Sequence, residues 1–163
     1  MTIEEYNKAV DLYADNLYRF ILKQCRSEEL AQDVVQESFE KMWLKLDNIN
    51  GAKSRSYLFT TGYHTMLDIL KKEKRVTALD GESEQAHTHE QPQQYSDISE
   101  VLEDALKRLP DIQRTVIMLR DYEGYSYEEI GEITELTASQ VKVYIYRGRI
   151  SLKQYLVKIE NII

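Results

Sequence analysis

This chain is short of everything that breaks a helix. Its 163 residues include two prolines and six glycines. That is too little turn chemistry for a fold of many short strands, and no segment reads as a convincing strand. There is one cysteine, Cys25. An internal disulfide and a cysteine metal cluster are therefore excluded, and the thiol is expected to be a small buried hydrophobe on the first helix. No apolar run is long enough to span a bilayer, and the acidic N-terminus lacks a signal-peptide pattern, so the chain is expected in the cytosol. No P-loop, GxGxxG, Ser/His/Asp set or paired-carboxylate pattern stands out, and an enzyme is the least favoured class. His87 and His89 sit beside Glu90 in a polar stretch without further ligands. Neither a metal nor another cofactor is expected.

What is present is charge and helical periodicity. A charged fraction of 30% and a hydrophobic fraction of 42% are those of a soluble globular protein with one or two small domains. The net charge of −7 argues against nucleic acid only until it is divided along the chain. Residues 1–40 carry four basic and nine acidic groups, whereas residues 41–78 carry eight basic and three acidic ones. Residues 79–97 carry five acidic groups and no Lys or Arg. Residues 98–163 are nearly balanced, but from Thr137 to Lys158 there are five basic residues and no acidic one. Phosphate contacts need local positive patches, and two such patches flank an acidic spacer here.

The helices can be placed from periodicity and caps. Ile3 to about Cys25 puts Tyr6, Val10, Tyr13, Leu17, Phe20 and Ile21 on one face. Ser27 caps a second helix running to about Leu46, with Leu30, Val34, Val35, Phe39, Met42 and Trp43 available for burial. Asp47 to Lys53 reads as a loop. Ser54 is expected to cap a third helix ending near Arg75, with Leu58, Phe59, Met66, Leu67, Ile69 and Leu70 as its apolar set. A helix starts near Asp97 with Glu100 completing a capping box. Pro110 suits the first position of the next helix, which runs to about Tyr122 and is stopped by Gly124. The expectation is an all-α protein of two small helical domains joined by a flexible linker, with boundaries 1–78, 79–97 and 98–163.

The C-terminal segment Ser126–Arg149 points to a function. Ser126 with Glu129 and Thr137 with Gln140 form two capping boxes, and Ile130, Ile133 and Leu136 bury the first helix between them. Val141, Ile145, Gly148 and Leu152 make an inward stripe on the second helix. Its other face carries Ser139, Gln140, Lys142, Val143, Tyr146, Arg147 and Arg149. A helix presenting cations and small polar groups beyond a tight turn suits the DNA major groove. A plain helical hairpin with a solvated basic face is the competing reading.

Leu30–Trp43 (LAQDVVQESFEKMW), Ser56–Arg75 (SYLFTTGYHTMLDILKKEKR) and the segment LPDIQRTVIMLRDYEGYSYEEIGEI from Leu109 together resemble the extracytoplasmic-function (ECF) sigma factors of bacterial RNA polymerase. The resemblance covers almost the whole chain in order. It implies a non-catalytic subunit that brings core RNA polymerase to promoter DNA and helps melt it. It also implies that Asp33, Gln36, Glu37, Phe39 and Trp43 bind core polymerase. Asn48, Asn50, Lys53, Arg55, Tyr57, Tyr63, His64, Lys71, Lys72, Lys74 and Arg75 are implied to read and open the −10 element. Ser139, Gln140, Lys142, Val143, Tyr146, Arg147 and Arg149 are implied to read the −35 element. The family often has an anti-sigma partner, in many cases tethered to the membrane.

This chain departs from the pattern in places. The family commonly has Trp at Tyr57, Asn at His64, Gly at Glu135, Arg at Tyr144 and Ala at Gly148. Glu135 leads us to expect a looser or right-handed turn. Gly148 costs about 1 kcal/mol of helix propensity unless close packing requires it. A stand-alone helix-turn-helix regulator is the main alternative; it would need a ligand pocket or dimer face where this chain has a basic, aromatic helix. A helical adaptor that binds only proteins is disfavoured by the basic stripe.

Overall fold

Thr2 opens the first helix with extended backbone, and its hydroxyl accepts the Glu5 N–H. From there the computed structural model describes residues 1–80 and 98–160. The chain divides into two compact units, Met1–Ser83 and Glu84–Ile163. All regular elements among the described residues are helical.

In the first unit, α1 spans Ile3–Cys25, α2 Glu28–Leu44 and α3 Ser54–Asp80. Ser27 caps α2 by accepting the Leu30 N–H, with Glu28 and Glu29 in the first turn against the helix dipole. The three helices close on Leu17, Phe20 and Ile21 from α1, Leu30, Val34 and Met42 from α2, and Leu58, Phe59 and Met66 from α3. Fully burying each such side chain is worth about 1.5–3 kcal/mol relative to exposure. The Phe20 and Phe59 rings meet at 5.4 Å. Cys25 is half-buried at the end of α1, where burial pushes its thiol up. It is thus less buried than the small buried hydrophobe expected, and the raised pKa disfavours the reactive thiolate.

Two 3-10 turns, Leu46–Asn48 and Gly51–Lys53, occupy the loop between α2 and α3. Asn50, rather than Ser54, supplies the side-chain cap there, accepting the Ala52 N–H at 3.0 Å. Ser54 already has helical angles, φ −58° and ψ −41°, so the chain passes from the 3-10 turn into α3 without an intervening cap. At its far end α3 continues past Arg75 to Asp80. Nothing in Val76-Thr77-Ala78-Leu79 breaks a helix, and the Thr77 hydroxyl bonds back to the Glu73 carbonyl at 2.8 Å. The expected linker thus begins later than residue 79. Its remainder, with His87, His89, Glu90 and the Asp97 cap, lies outside the described residues.

In the second unit, α4 spans Ile98–Lys107 and α5 Asp111–Ile117; a five-residue π-helical turn follows at Met118–Tyr122, then α6 at Tyr127–Thr134 and α7 at Ala138–Glu160. Pro110 sits one position earlier than expected, as the cap before α5, because its ψ of 146° is extended. Its carbonyl still closes the first turn, accepting from Arg114 N at 3.1 Å. Gly124 ends the π turn at φ +76°, a left-handed angle that glycine adopts without steric cost. The core gathers Leu106, Leu109 and Ile117 with Leu152 against them, and Ile130, Ile133, Val141 and Ile145 are buried as well. Arg114 is only 3% exposed, yet its guanidinium donates to the Leu106 and Leu109 carbonyls and to Asp111. It adds side-chain donors to the backbone turn that follows α4, where the Leu106 carbonyl also accepts from Leu109 N at 3.2 Å.

Candidate nucleic-acid and protein interfaces

On α2, Asp33 and Gln36 are exposed and Glu37 is half-buried. Glu37 pairs with Lys41 one turn on at 3.4 Å, and Lys41 also donates to Thr65 on α3 at 2.9 Å. The acidic face is therefore mounted on a helix fixed from behind. Sequence alone could not separate Phe39 from Trp43, and the structure does. Phe39 is 8% exposed and belongs to the core, whereas Trp43 is 48% exposed. Tyr6 from α1 meets both rings edge-on, at 6.2 and 5.1 Å. Its phenol donates to the Phe39 carbonyl at 3.1 Å, and burial, with the nearby Glu40 carboxylate, raises its pKa and keeps it protonated. Phe39 contributes packing beneath this face; the aromatic surface is Trp43.

The second surface begins in the loop. Asn48, Asn50 and Lys53 are exposed, and Asn50 holds the turn as well as facing solvent. Contacts that the sequence did not reveal fix this loop from the N-terminus and the first turn of α1. Met1 N donates to the Leu46 and Ile49 carbonyls at 3.0 and 2.8 Å. The Glu5 carboxylate lies against Gly51, so that a Cβ there would fall 1.3 Å from it. Arg55 stands over the Phe59 ring at 5.7 Å. Along α3, Tyr57, His64, Lys71 and Arg75 recur at near-heptad spacing on one stripe. Exposure grows from half-buried Tyr57 and His64 to exposed Lys71, Lys72, Lys74 and Arg75. Tyr63 is not on it: at 6% exposed it is core, edge-on to His64 at 5.4 Å. As a stacking surface for a base, Tyr57 is the available ring and Tyr63 is not.

The third surface is built by the helix-turn-helix. Both expected capping boxes are present. Ser126 and Glu129 exchange hydrogen bonds at 3.0 and 3.1 Å, and Thr137 and Gln140 do so at 2.9 and 3.1 Å. Between them the turn is left-handed and closed by hydrogen bonds, in place of the looser or right-handed turn expected: Glu135 has φ +63° and ψ 28°. The reason is the closure itself. The Gly131 carbonyl accepts from Glu135 N and from Leu136 N, the latter at 3.1 Å, a pattern that needs a left-handed residue at this point. Because Glu135 bears a side chain in that region, Glu135→Gly should stabilise the second unit by about 0.5–1 kcal/mol. Thermal unfolding of the two chains checks this.

Val141, Ile145 and Gly148 are buried on α7, as the inward stripe requires. Gly148 is there for space, since a Cβ would come 2.4 Å from Ile117 Cδ1. Ser139, Gln140, Lys142, Val143, Tyr146, Arg147 and Arg149 are all exposed. Gln140 is committed to the cap, and Arg149 is held by Asp121 of the π turn, with Nη2–Oδ1 at 2.6 Å and Nε–Oδ2 at 3.3 Å. This tie joins residues 28 apart in sequence and has no local signal.

Sequence comparison places known regions on these two units. A model of sigma-70 region 2 matches residues 9–76, and a model of sigma-70 region 4 matches residues 99–152. The chain belongs to the ECF sigma factors. Its relatives include the RNA polymerase sigma factor YlaC of Bacillus subtilis, 29% identical over 153 residues, covering 90% of this chain and 88% of that protein. The ECF sigma factor SigM of the same organism is 26% identical over 156 residues, covering 94% of both. Among solved structures, the sigma factor RpoE of Bartonella quintana, in complex with the anti-sigma factor NepR, matches with a TM-score of 0.81 at 24% identity. That match covers 94% of this chain and 98% of that one. Sigma factors of this kind are initiation factors without enzymatic activity of their own: they bind core RNA polymerase and direct it to specific promoters. This chain is a factor that binds core polymerase and directs promoter-specific initiation, and the stand-alone regulator is not favoured. No described helix is long and apolar enough to cross a membrane.

Proposed function

We propose that the three surfaces divide the work of initiation between them, inside the cytoplasm and without catalysis by this chain. The face of α2 built from Asp33, Gln36, Glu37 and Trp43 docks a basic element of core polymerase. The loop residues Asn48, Asn50 and Lys53, with Arg55, Tyr57 and His64, receive the −10 strand. Lys71, Lys72, Lys74 and Arg75 neutralise its phosphates. The exposed face of α7 reads the −35 duplex. The observation that carries this reading is the order of the two matched regions along one chain, each with its own exposed basic surface.

Of the three cations on the candidate −35 face, Arg149 is tied to Asp121, whereas among the described residues no such carboxylate tie is seen for Lys142 or Arg147. Replacing either with alanine should weaken −35 binding by about 1–3 kcal/mol where it contacts a base, and more uniformly, with a shallower salt slope, where it contacts phosphate. Titrating promoter duplex against holoenzymes carrying each variant, at several salt concentrations, separates the two. Wild-type binding by both variants would remove α7 from the mechanism.

An anti-sigma partner is part of the proposal. The solved relatives include RpoE with NepR and CnrH with the cytosolic domain of CnrY. Such a partner would compete for the α2 and α7 faces. Capture with the tagged chain from its native host, with and without added core polymerase, tests that competition.

A further inference from the structure

The exposed face of α7 is not uniformly polar. Val143 and Tyr146 are 43% and 67% exposed, lie three residues apart on one stripe, and stand between Lys142 and Arg147. The helix itself is electropositive, with five basic and no acidic residues from Thr137 to Lys158. That charge fits a polyanion better than it fits an ordinary protein surface. In the major groove the apolar group is the C5-methyl of thymine. Val143 has no hydrogen-bonding side-chain atom, so a methyl contact is the one form of base reading open to it.

We propose that Val143 and Tyr146 read thymine methyl groups in the −35 element. The inference rests on α7 being the duplex-reading helix. Three residues of helix rise separate the two side chains by about 4.5 Å along the axis, close to the ~3.4 Å base-pair step of each DNA strand. They therefore serve neighbouring base pairs. Both lie in the first half of α7, the part that a helix-turn-helix presents to base edges. Ile150, 39% exposed, continues the stripe beyond that part and serves as a control. Lys142 and Arg147 supply the flanking charge, and the methyl contacts supply discrimination that hydrogen bonding alone does not give.

The test uses holoenzyme reconstituted from core polymerase and the full chain. It selects from a promoter duplex library randomised over the −35 window, prepared in parallel with thymine and with uracil in that window. We expect thymine to be enriched at one or two positions, and the enrichment at those positions to fall about fourfold per methyl in the uracil library, the loss of one buried methyl-sized group. Holoenzyme with Val143→Ser should lose preference at one of these positions and show no further uracil penalty there. Val143→Ile should retain the preference, and Ile150→Ser should leave it unchanged. The same motif from both libraries, or a motif without thymine, overturns the proposal. So does a Val143→Ser or Tyr146→Ser chain that keeps the motif but loses polymerase capture, since the stripe would then be a protein contact. No −35 enrichment of any kind from either library would instead overturn the reading of α7 on which the inference stands.

Discussion

Gly131→Ala should destroy the helix-turn-helix while leaving the first unit folded. A Cβ at this position would lie 2.6 Å from the Leu136 carbonyl oxygen. That atom is backbone, in the turn that brings α7 back across α6, and it cannot rotate out of the way. Moving it would also break the Leu136 N–H bond to the Gly131 carbonyl at 3.1 Å and shift Val141 and Ile145 out of the core. Overpacking at a well-packed site costs about 1–3 kcal/mol and sometimes more, a large share of the stability of so small a unit. The gain in helix propensity, about 1 kcal/mol from Gly to Ala, does not offset it. Thermal unfolding followed by circular dichroism should lose or lower one transition, and holoenzyme binding to −35 duplex should fall in step. An alanine chain that melts and binds like the parent would mean that the turn is not closed in this way.

The other large effect expected is on polymerase binding. Reversing Asp33 and Glu37 together to lysine should abolish co-purification with core polymerase and leave helix content unchanged. Asp33 is exposed and Glu37 half-buried. The reversal exchanges the Glu37–Lys41 attraction for a repulsion at i,i+4 spacing, a change of only a few tenths of a kcal/mol on each count. Lys41 keeps its bond to Thr65 at 2.9 Å, so α2 stays seated on α3. A basic partner surface, by contrast, would meet two charges of the wrong sign, and like charges at an interface cost several kcal/mol. Retained binding with an unchanged circular dichroism spectrum would exclude this face as the docking site.

Much of this architecture was legible because it is local. The caps at Ser27, Ser126 and Thr137 each need only the next three residues, and the inward stripe Val141–Ile145–Gly148 needs only the period of one helix. The differences arise where backbone closure or a distant neighbour decides. Glu135 is left-handed because Gly131 and Leu136 close the turn around it, which no propensity of glutamate records. Tyr63 and Tyr57 are equally aromatic in sequence, but Tyr63 faces the core, 6% exposed. Phe39 and Trp43 differ only in how far the folded unit covers them, core for Phe39 and solvent for Trp43. The ties that hold the candidate surfaces are long-range as well: Met1 to Ile49, Lys41 to Thr65, and Asp121 to Arg149. Such pairs leave no periodic trace. The candidate site residues rest on the resemblance of three segments to a family, and their exposure is decided by the tertiary structure.

Run-off transcription tests the central claim most directly. Core RNA polymerase, a genomic library of promoter fragments and this chain would be combined, and the 5′ ends of the transcripts mapped. The account predicts new, discrete start sites that appear only when the chain is added. Those sites should share one motif near −10 and another near −35, and should disappear with the Asp33→Lys/Glu37→Lys chain. Start sites unchanged from core polymerase alone, with the chain binding promoter duplex independently of polymerase, would contradict it.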